Sequence, residues 1–439
     1  MNQTISPFHH DTPVEQHFQN VRAENSRGIF ASEGPLFKGA VFGRDSIEVA
    51  EDLIGIDHVI PREIIITLAS LQGLETDRDT EEEPGKIHHE HRLRGDIKDA
   101  HSHEVFEKLS RMWGGTEHEL TYYGSVDATP LFVRLVGAYA KEYGPSILDE
   151  QIIGKDGAIR SIGDHINLAK NWLDQKIQDS TMGLIEYKRT NPVGIENQVW
   201  KDSVTGYISQ NGELLNYESG VAALEVQCYA YDAYKTLAEL FPGSISQDEL
   251  DGFRRHIINL YWLPDINIFS SAIDKDDAGQ PRQLMSAQSN MGLILDSNVL
   301  LDEPDVSDKI NSTVERLMSN DFLTEAGIRC RSLELKDAVD YPDYHGSYAV
   351  WFKETSDIAR GFERHGYADE ARVLAQNIVT SITDLGEFYE FIFVDAEGKI
   401  VLPTRQTGIF ADPRCNFPEP GQSWTISAFV RSMRSLNRS

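Results

Sequence analysis

Apolar residues recur along this chain at the three-to-four-residue spacing that places them on one face of a helix. From Pro61 to Leu74, Ile64, Ile65, Leu68, Leu71 and Leu74 form one stripe. Thr129-Pro130 opens a second helix, with proline at the first helical position where its missing N–H costs nothing. Leu131, Leu135, Ala138 and Tyr139 make its apolar face. A third run from Ile162 to Ile177 carries Ile166, Ala169, Trp172 and Leu173, and a fourth from Ser219 to Leu240 carries Leu224, Cys228, Tyr231 and Leu237. Further helices are predicted at Leu250–Leu260, Met291–Leu301, Ser356–His365, Ala368–Ile382 and Ser423–Leu436. Two-residue alternation is rare; Phe391–Val394 followed by Ile400–Leu402 predicts one short hairpin.

The expected fold class is therefore all-α. Twelve helices with their loops would take about 37 residues each of the 439, which accommodates an (α/α)6 toroid of six helical hairpins. No stretch rich in Pro, Gly or Ser divides the chain, so residues 1–439 are expected to form a single domain, with residues 1–27 as an N-terminal arm or first outer helix. The polar run Glu75–Lys86 reads as a solvated loop.

Composition narrows the function. Hydrophobic residues are 40% and charged residues 25%, a globular balance that excludes disorder as a description of the chain. Against 41 Lys and Arg stand 70 Asp and Glu, a net charge of −29 that disfavours nucleic acid and anionic membrane partners. Cys228, Cys330 and Cys415 are far apart and form neither a disulfide framework nor a CxxC metal site. The N-terminus lacks the pattern of a secretory signal, and no window of 18 residues is apolar throughout, so a cytoplasmic location is expected. Neutral small molecules or neutral polymers remain as partners.

The chemistry lies in the loops. Phe42-Gly43-Arg44-Asp45-Ser46 sets a guanidinium beside a carboxylate, which suits either sugar hydroxyls or a structural pair at a helix start. His88-His89-Glu90-His91-Arg92 lacks a zinc spacing such as HExxH and reads as polar lining of a cleft. Tyr122-Tyr123-Gly124-Ser125-Val126-Asp127 offers aromatic faces, and its aspartate either caps the next helix or binds a hydroxyl. In Asn197-Gln198-Val199-Trp200-Lys201-Asp202-Ser203, an indole beside a carboxyl supplies the apolar wall that raises a carboxyl pKa, while Lys201 would act the other way. Glu225, inside an apolar helix, needs partners in a network or a cleft. Tyr344, His345 and Trp351 add aromatic loop chemistry, and Glu387, Glu390 and Glu419, with Gln422 and Trp424, offer a second carboxylate. Two carboxylates on separate loops with aromatic platforms are the set that glycoside hydrolysis requires. No GxGxxG, GxxxxGK[ST] or GxSxG competes.

FGRDS, HHEHR, YYGSVDATPLFV, NQVWKDS, ALEVQCYAY, SNMG, GIR and YPDYHGSYAVW occur in a fixed order over about residues 28–435. Together they resemble the amylo-α-1,6-glucosidase family, the glucosidase part of glycogen-debranching enzymes. The resemblance implies an (α/α)6 toroid and inverting hydrolysis of a terminal α-glucosidic bond, with no cofactor or metal. It gives Asp202 the general-acid role and, through the looser match of FYEFIFVDAEG, makes Glu390 the base, with Glu419 as second choice. Arg44 and Asp45 would hold the terminal sugar. Phe42, His91, Tyr123, Asp127, Trp200, Lys201, Tyr344, His345, Trp351, Gln422 and Trp424 would line its site. Inversion requires the two carboxyls roughly 6.5–9.5 Å apart, leaving room for a water. The segment VTGYISQNGELLNYESG departs from the family pattern, which leaves the substrate open to small α-glycosides such as glucosylglycerate or an oligosaccharide. Two other functions fit parts of the pattern: a sugar epimerase or isomerase, which would employ the HHEH histidines and His345, and a carbohydrate-binding protein without turnover.

Overall fold

The computed structural model describes residues 12–24, 27–402 and 409–438. Helices dominate it. In chain order they are α1 (Thr12–Asn20), α2 (Gly43–Leu53), α3 (Val59–Ser70), α4 (Ala100–Met112), α5 (Ala128–Tyr143), α6 (Ile162–Asp179), α7 (Leu224–Leu240) and α8 (Gln247–Tyr261). A 3₁₀ helix (Ser289–Asp296) follows, then α9 (Asn298–Leu301), α10 (Ser307–Leu317), α11 (Phe352–Arg364), α12 (Ala368–Leu385) and α13 (Ser423–Arg438). Small antiparallel sheets are set between them.

The helices sort into two layers by burial. In α2 every residue but Glu51 is buried, and in α7 Leu224 to Tyr234 are all buried. In α10, by contrast, only the stripe of Ile310, Thr313, Val314 and Leu317 is buried. A helix buried all round belongs inside and a one-sided helix outside. The contacts follow: α2, α5, α7, the 3₁₀ helix, α11 and α13 each pack on the next, and α13 packs back on α2. Around them, α3 and α6 lie on α5, α8 on α7, α10 on the 3₁₀ helix, α12 on α11 and α13, and α1 on α13. One cluster of buried apolar residues runs through both layers from Val14 to Val430. Several buried charges of the inner layer are paired: Lys353 Nζ lies 2.6 Å from both Glu48 and Asp357, and Arg360 lies 2.5 Å from Asp296.

Several inner helices start directly from short strands. β1 (Ala40–Phe42) pairs antiparallel with β2 (Glu90–Leu93), which pairs with β3 (Glu119–Tyr122), and the chain passes from Phe42 straight into α2. Ala222–Ala223 leads into α7 in the same way. This fixes the N-terminal side chains of the inner helices against a sheet. Gly43 makes the first junction possible, since a Cβ there would lie 2.1 Å from the His88 carbonyl oxygen. Gly43→Ala is therefore expected to cost about 1–3 kcal/mol by overpacking. Chemical denaturation checks it, and an unchanged midpoint would mean the junction is looser than its geometry.

The predicted elements differ from the observed ones in instructive ways. The hairpin exists, as Ile392–Val394 paired with Ile400–Val401. α5 starts at Ala128, so Pro130 stands third rather than first, still inside the turn that has no N–H partner to lose. α7 starts at Leu224, not Ser219, because Gly220 turns with φ +89° and Ala222–Ala223 pairs with Ala272–Ile273. Met291–Leu301 is a 3₁₀ helix followed by the short α9, not one α-helix. The run Glu75–Lys86 is a solvated loop only in its first half: Glu75 to Asp79 are exposed, whereas Glu81, Glu82 and Lys86 are buried. Glu81 accepts from the backbone N–H groups of Thr190 and Asn191 and from the Gln198 amide, so the acidic run braces the loop that carries Trp200 and Asp202. Among the described residues no helix is long and apolar enough to cross a membrane.

Candidate active site

A cavity of about 370 Å³ opens where the N-terminal ends of α2, α11 and α13 converge. That is the size of a small-ligand site. Phe42, Arg44 and Asp45 line it from the β1–α2 junction, Trp351 from the residue before α11, and Trp424 from the first turn of α13. Trp200 and Asp202 enter on the loop ahead of α7, Tyr344 on the loop ahead of α11, and Glu390 and Phe391 just before the hairpin. Leu36, Phe37, His101, Asn416, Phe417 and Glu419 complete the wall.

The floor is aromatic and rigid. The Trp351 ring stacks on His345 at 5.0 Å and on Phe391 at 5.2 Å, and Trp200 and Trp424 meet it edge-on at 5.8 and 5.6 Å. Trp351 Nε1 donates to the Tyr344 carbonyl at 2.7 Å. Both neighbours of Asp202 are tied down. Lys201 Nζ donates to Ser289 Oγ at 2.9 Å and to the Cys330 carbonyl at 2.7 Å, and Ser203 Oγ is hydrogen-bonded to His345 Nδ1 at 2.9 Å. Asn197 Nδ2 donates to the carbonyls of Lys201 and Ser203. A side chain mounted this way keeps its geometry when a ligand arrives.

Four carboxyls line the cavity, and Asp45, Asp202 and Glu419 all act on Glu390. Burial pushes the Glu390 carboxyl well above the usual range, and Asp202 and Asp45 push it further. Asp45 rises to about 6, chiefly through burial, against the pull of Arg44. Asp202 is also raised by burial, but less freely: the Arg44 guanidinium and the Tyr344 hydroxyl, which donates to Oδ1 at 3.0 Å, both favour its ionised form. Three buried polar atoms of lining residues, Arg44 Nε, Asp45 Oδ2 and Trp200 Nε1, have no hydrogen-bond partner and are ready for a ligand's hydroxyls.

Of the residues singled out in the sequence, Phe42, Arg44, Asp45, Trp200, Asp202, Tyr344, Trp351, Glu390, Glu419 and Trp424 stand together on the cavity wall. The others lie behind it. Asp127 is fully buried and makes no side-chain cap; it accepts from Arg44 Nη1 at 2.9 Å and so orients the guanidinium. Lys201 is fully buried in the bonds just given. Tyr123 donates to the Leu71 carbonyl at 2.7 Å. Gln422 sits between the Ala31 carbonyl and the Trp424 indole. His91 is hydrogen-bonded to Thr121 Oγ1 at 2.9 Å on β2. His88, His89 and His345 are buried as well, and burial holds the HHEHR histidines and His345 below the usual imidazole range. HHEHR is thus a buried strand and not cleft lining; Phe42 covers it, with its ring edge-on to His89 at 5.3 Å. Glu225 is a network member, accepting from Tyr207 and Asn290 beneath the cavity. Among the described residues no group of His, Cys, Asp and Glu could hold a metal ion. Leu36, Phe37, Asn416 and Phe417 had no signal, since they stand on segments without a regular pattern, and His101 lies in the first turn of α4, whose buried stripe is thin.

The raised carboxyls set a pH signature. A base must be ionised, so a raised pKa moves its loss of function to higher pH on the acid side. An acid must be protonated, so a raised pKa lets it work to higher pH on the alkaline side. With Glu390 and Asp202 both raised, the whole bell of kcat/KM is expected to move above that of ordinary carboxyls, with its optimum toward neutrality. A pH–rate profile centred near the unperturbed carboxyl range of about 4 would contradict this.

No family model matches the chain, and no curated protein matches it in sequence. Its fold is nonetheless shared with solved glycosidases. The GH63 mannosylglycerate hydrolase from Thermus thermophilus, in complex with glucose, superposes with a TM-score of 0.58 at 13% identity, over 96% of this chain and 99% of that one. The same enzyme in complex with Tris and D-glycerate gives a TM-score of 0.62 at 12% identity, with the same coverage. A wild-type glycosidase gives 0.55 at 10% identity, over 97% of this chain and 96% of that one.

Proposed function

We propose that this protein is an inverting glycoside hydrolase on an (α/α)6 toroid, cleaving a terminal α-glucosidic bond. The closed order of inner helices supports the toroid. One observation carries the activity: Asp202 and Glu390, from loops far apart in sequence, both line one cavity of sugar size with an aromatic floor. Asp202 protonates the departing oxygen, and Glu390 deprotonates the water that attacks the anomeric carbon from the opposite face. The surroundings suit the forms that proton transfer produces. Tyr344 and Arg44 stabilise the carboxylate that Asp202 becomes, and burial beside Asp202 and Asp45 favours the protonated form that Glu390 becomes. Glu419 is the weaker candidate for the base: burial raises its carboxyl, but Leu36 N donates to it and His101 lies near it.

The resemblance to amylo-α-1,6-glucosidases supports an α-glycoside, the fold shared with a mannosylglycerate hydrolase supports a glycoside, and the two differ in the leaving group. The test is a panel of isomaltose, panose, limit dextrin, trehalose and glucosylglycerate, with a one-dimensional NMR time course of the first-formed anomer. A β-anomer released first from an α-glycoside supports inversion. Failure to hydrolyse any of them sinks the reading. The epimerase reading loses its histidine pair, because among the described residues His101 is the one histidine on the cavity wall, and it is exposed.

A further inference from the structure

We propose that the cavity selects an uncharged, polyhydroxy leaving group and rejects an anionic one, with Glu419 as the specificity-determining residue. The proposal rests on the hydrolase reading and names its substrate class. Four carboxyls line the cavity: Asp45, Asp202, Glu390 and Glu419. Among the described residues the basic side chains on the wall are Arg44 and His101. The Arg44 charge is already matched by Asp127, to which Nη1 donates at 2.9 Å, and by Asp45, 3.8 Å from Nε. His101 is exposed at the mouth. A leaving group bearing a carboxylate would therefore meet like charge without a dedicated cation, in a chain whose net charge of −29 already repels anions.

Glu419 is built into its place. It shares the wall with Leu36, Phe37 and Asn416, and its backbone carbonyl accepts from Glu390 N at 2.9 Å. A Cβ at Gly34 would fall 1.9 Å from Glu419 Oε2, so the backbone is cut back to admit the carboxyl. The bond it accepts from Leu36 N is long, 3.4 Å, while an ionised carboxyl has acceptor sites for several donors. Hydroxyls are the donors that fit, and aromatic faces at Phe37, Phe42 and Phe417 suit the C–H side of a polyol. The inward wall carries the unpartnered, buried Asp45 Oδ2 and Trp200 Nε1, an acceptor and a donor for the sugar itself.

The experiment compares two α-glucosides that differ only in the leaving group, glucosylglycerol and glucosylglycerate. The wild-type protein is expected to favour glucosylglycerol in kcat/KM by roughly tenfold or more, and Glu419→Gln to narrow that ratio severalfold. Calorimetry on the Asp202→Asn variant reads the same preference as a ratio of dissociation constants, independent of turnover. Equal or better use of glucosylglycerate, in rate or in binding, overturns the proposal. A ratio that Glu419→Gln leaves in place overturns the role of Glu419. Loss of turnover on every glycoside with the binding preference intact counts against the hydrolase reading and supports the selectivity.

Discussion

Asp202→Asn and Glu390→Gln each lower kcat/KM toward an O-linked α-glucoside by roughly 10²–10⁴-fold, the contribution of a positioned acid or base. Both changes are near-isosteric. In Asp202→Asn the new amide carbonyl can still accept from Tyr344, so a loss of activity is not a loss of the loop. An α-glucosyl fluoride then separates the roles, because fluoride departs without a proton. If Asp202 is the acid, Asp202→Asn hydrolyses the fluoride within about tenfold of wild type, whereas Glu390→Gln fails on both substrates. The opposite pattern would reverse the assignment. The contest is real in physical terms. Burial raises both carboxyls, and on Asp202 it is opposed by Arg44 and Tyr344, which favour the ionised form, so the fluoride comparison decides between them. Full wild-type rates in both variants would remove the pair from the chemistry.

The helical stripes were legible because burial enforces them. α6 and α8 follow their predicted runs closely, and each opens with a Ser capping box, at Ser161/Asp164 and Ser246/Glu249. α4 escaped notice because few of its positions, Ser102, Phe106 and Ser110, are buried, which leaves a stripe too thin to read. The site was legible where a residue type announces its chemistry: Asp202 beside Trp200, Arg44 beside Asp45. It was not legible where position depends on what packs behind. Lys201 and Asp202 are neighbours in sequence, yet one points into a network beneath the floor and the other into the cavity. Nor did the acidic run from Glu81 show that it holds Gln198, since that contact spans more than a hundred residues of chain.

Arg44 joins the fold to the chemistry, and its removal is expected to harm both. The guanidinium is 6% exposed and Asp127 is fully buried, so Arg44→Met would leave a carboxylate in the interior without its cation. Breaking such a pair from one side costs about 3–5 kcal/mol. Denaturant titration checks this, and a loss below about 1 kcal/mol would show that Asp127 finds another partner or takes up a proton. The double variant Arg44→Met/Asp127→Asn should be less destabilised than the sum of the two single changes, because it removes the stranded charge along with its partner. Activity moves for a separate reason. Arg44 favours the ionised form of both Asp202 and Asp45, so without it both carboxyls hold their protons to higher pH. Whatever rate survives in Arg44→Met should therefore show its alkaline limb displaced upward relative to wild type. Arg44→Lys keeps the charge but loses the planar guanidinium that donates to Asp127 while lying 3.8 Å from Asp45, so it should recover more stability than turnover.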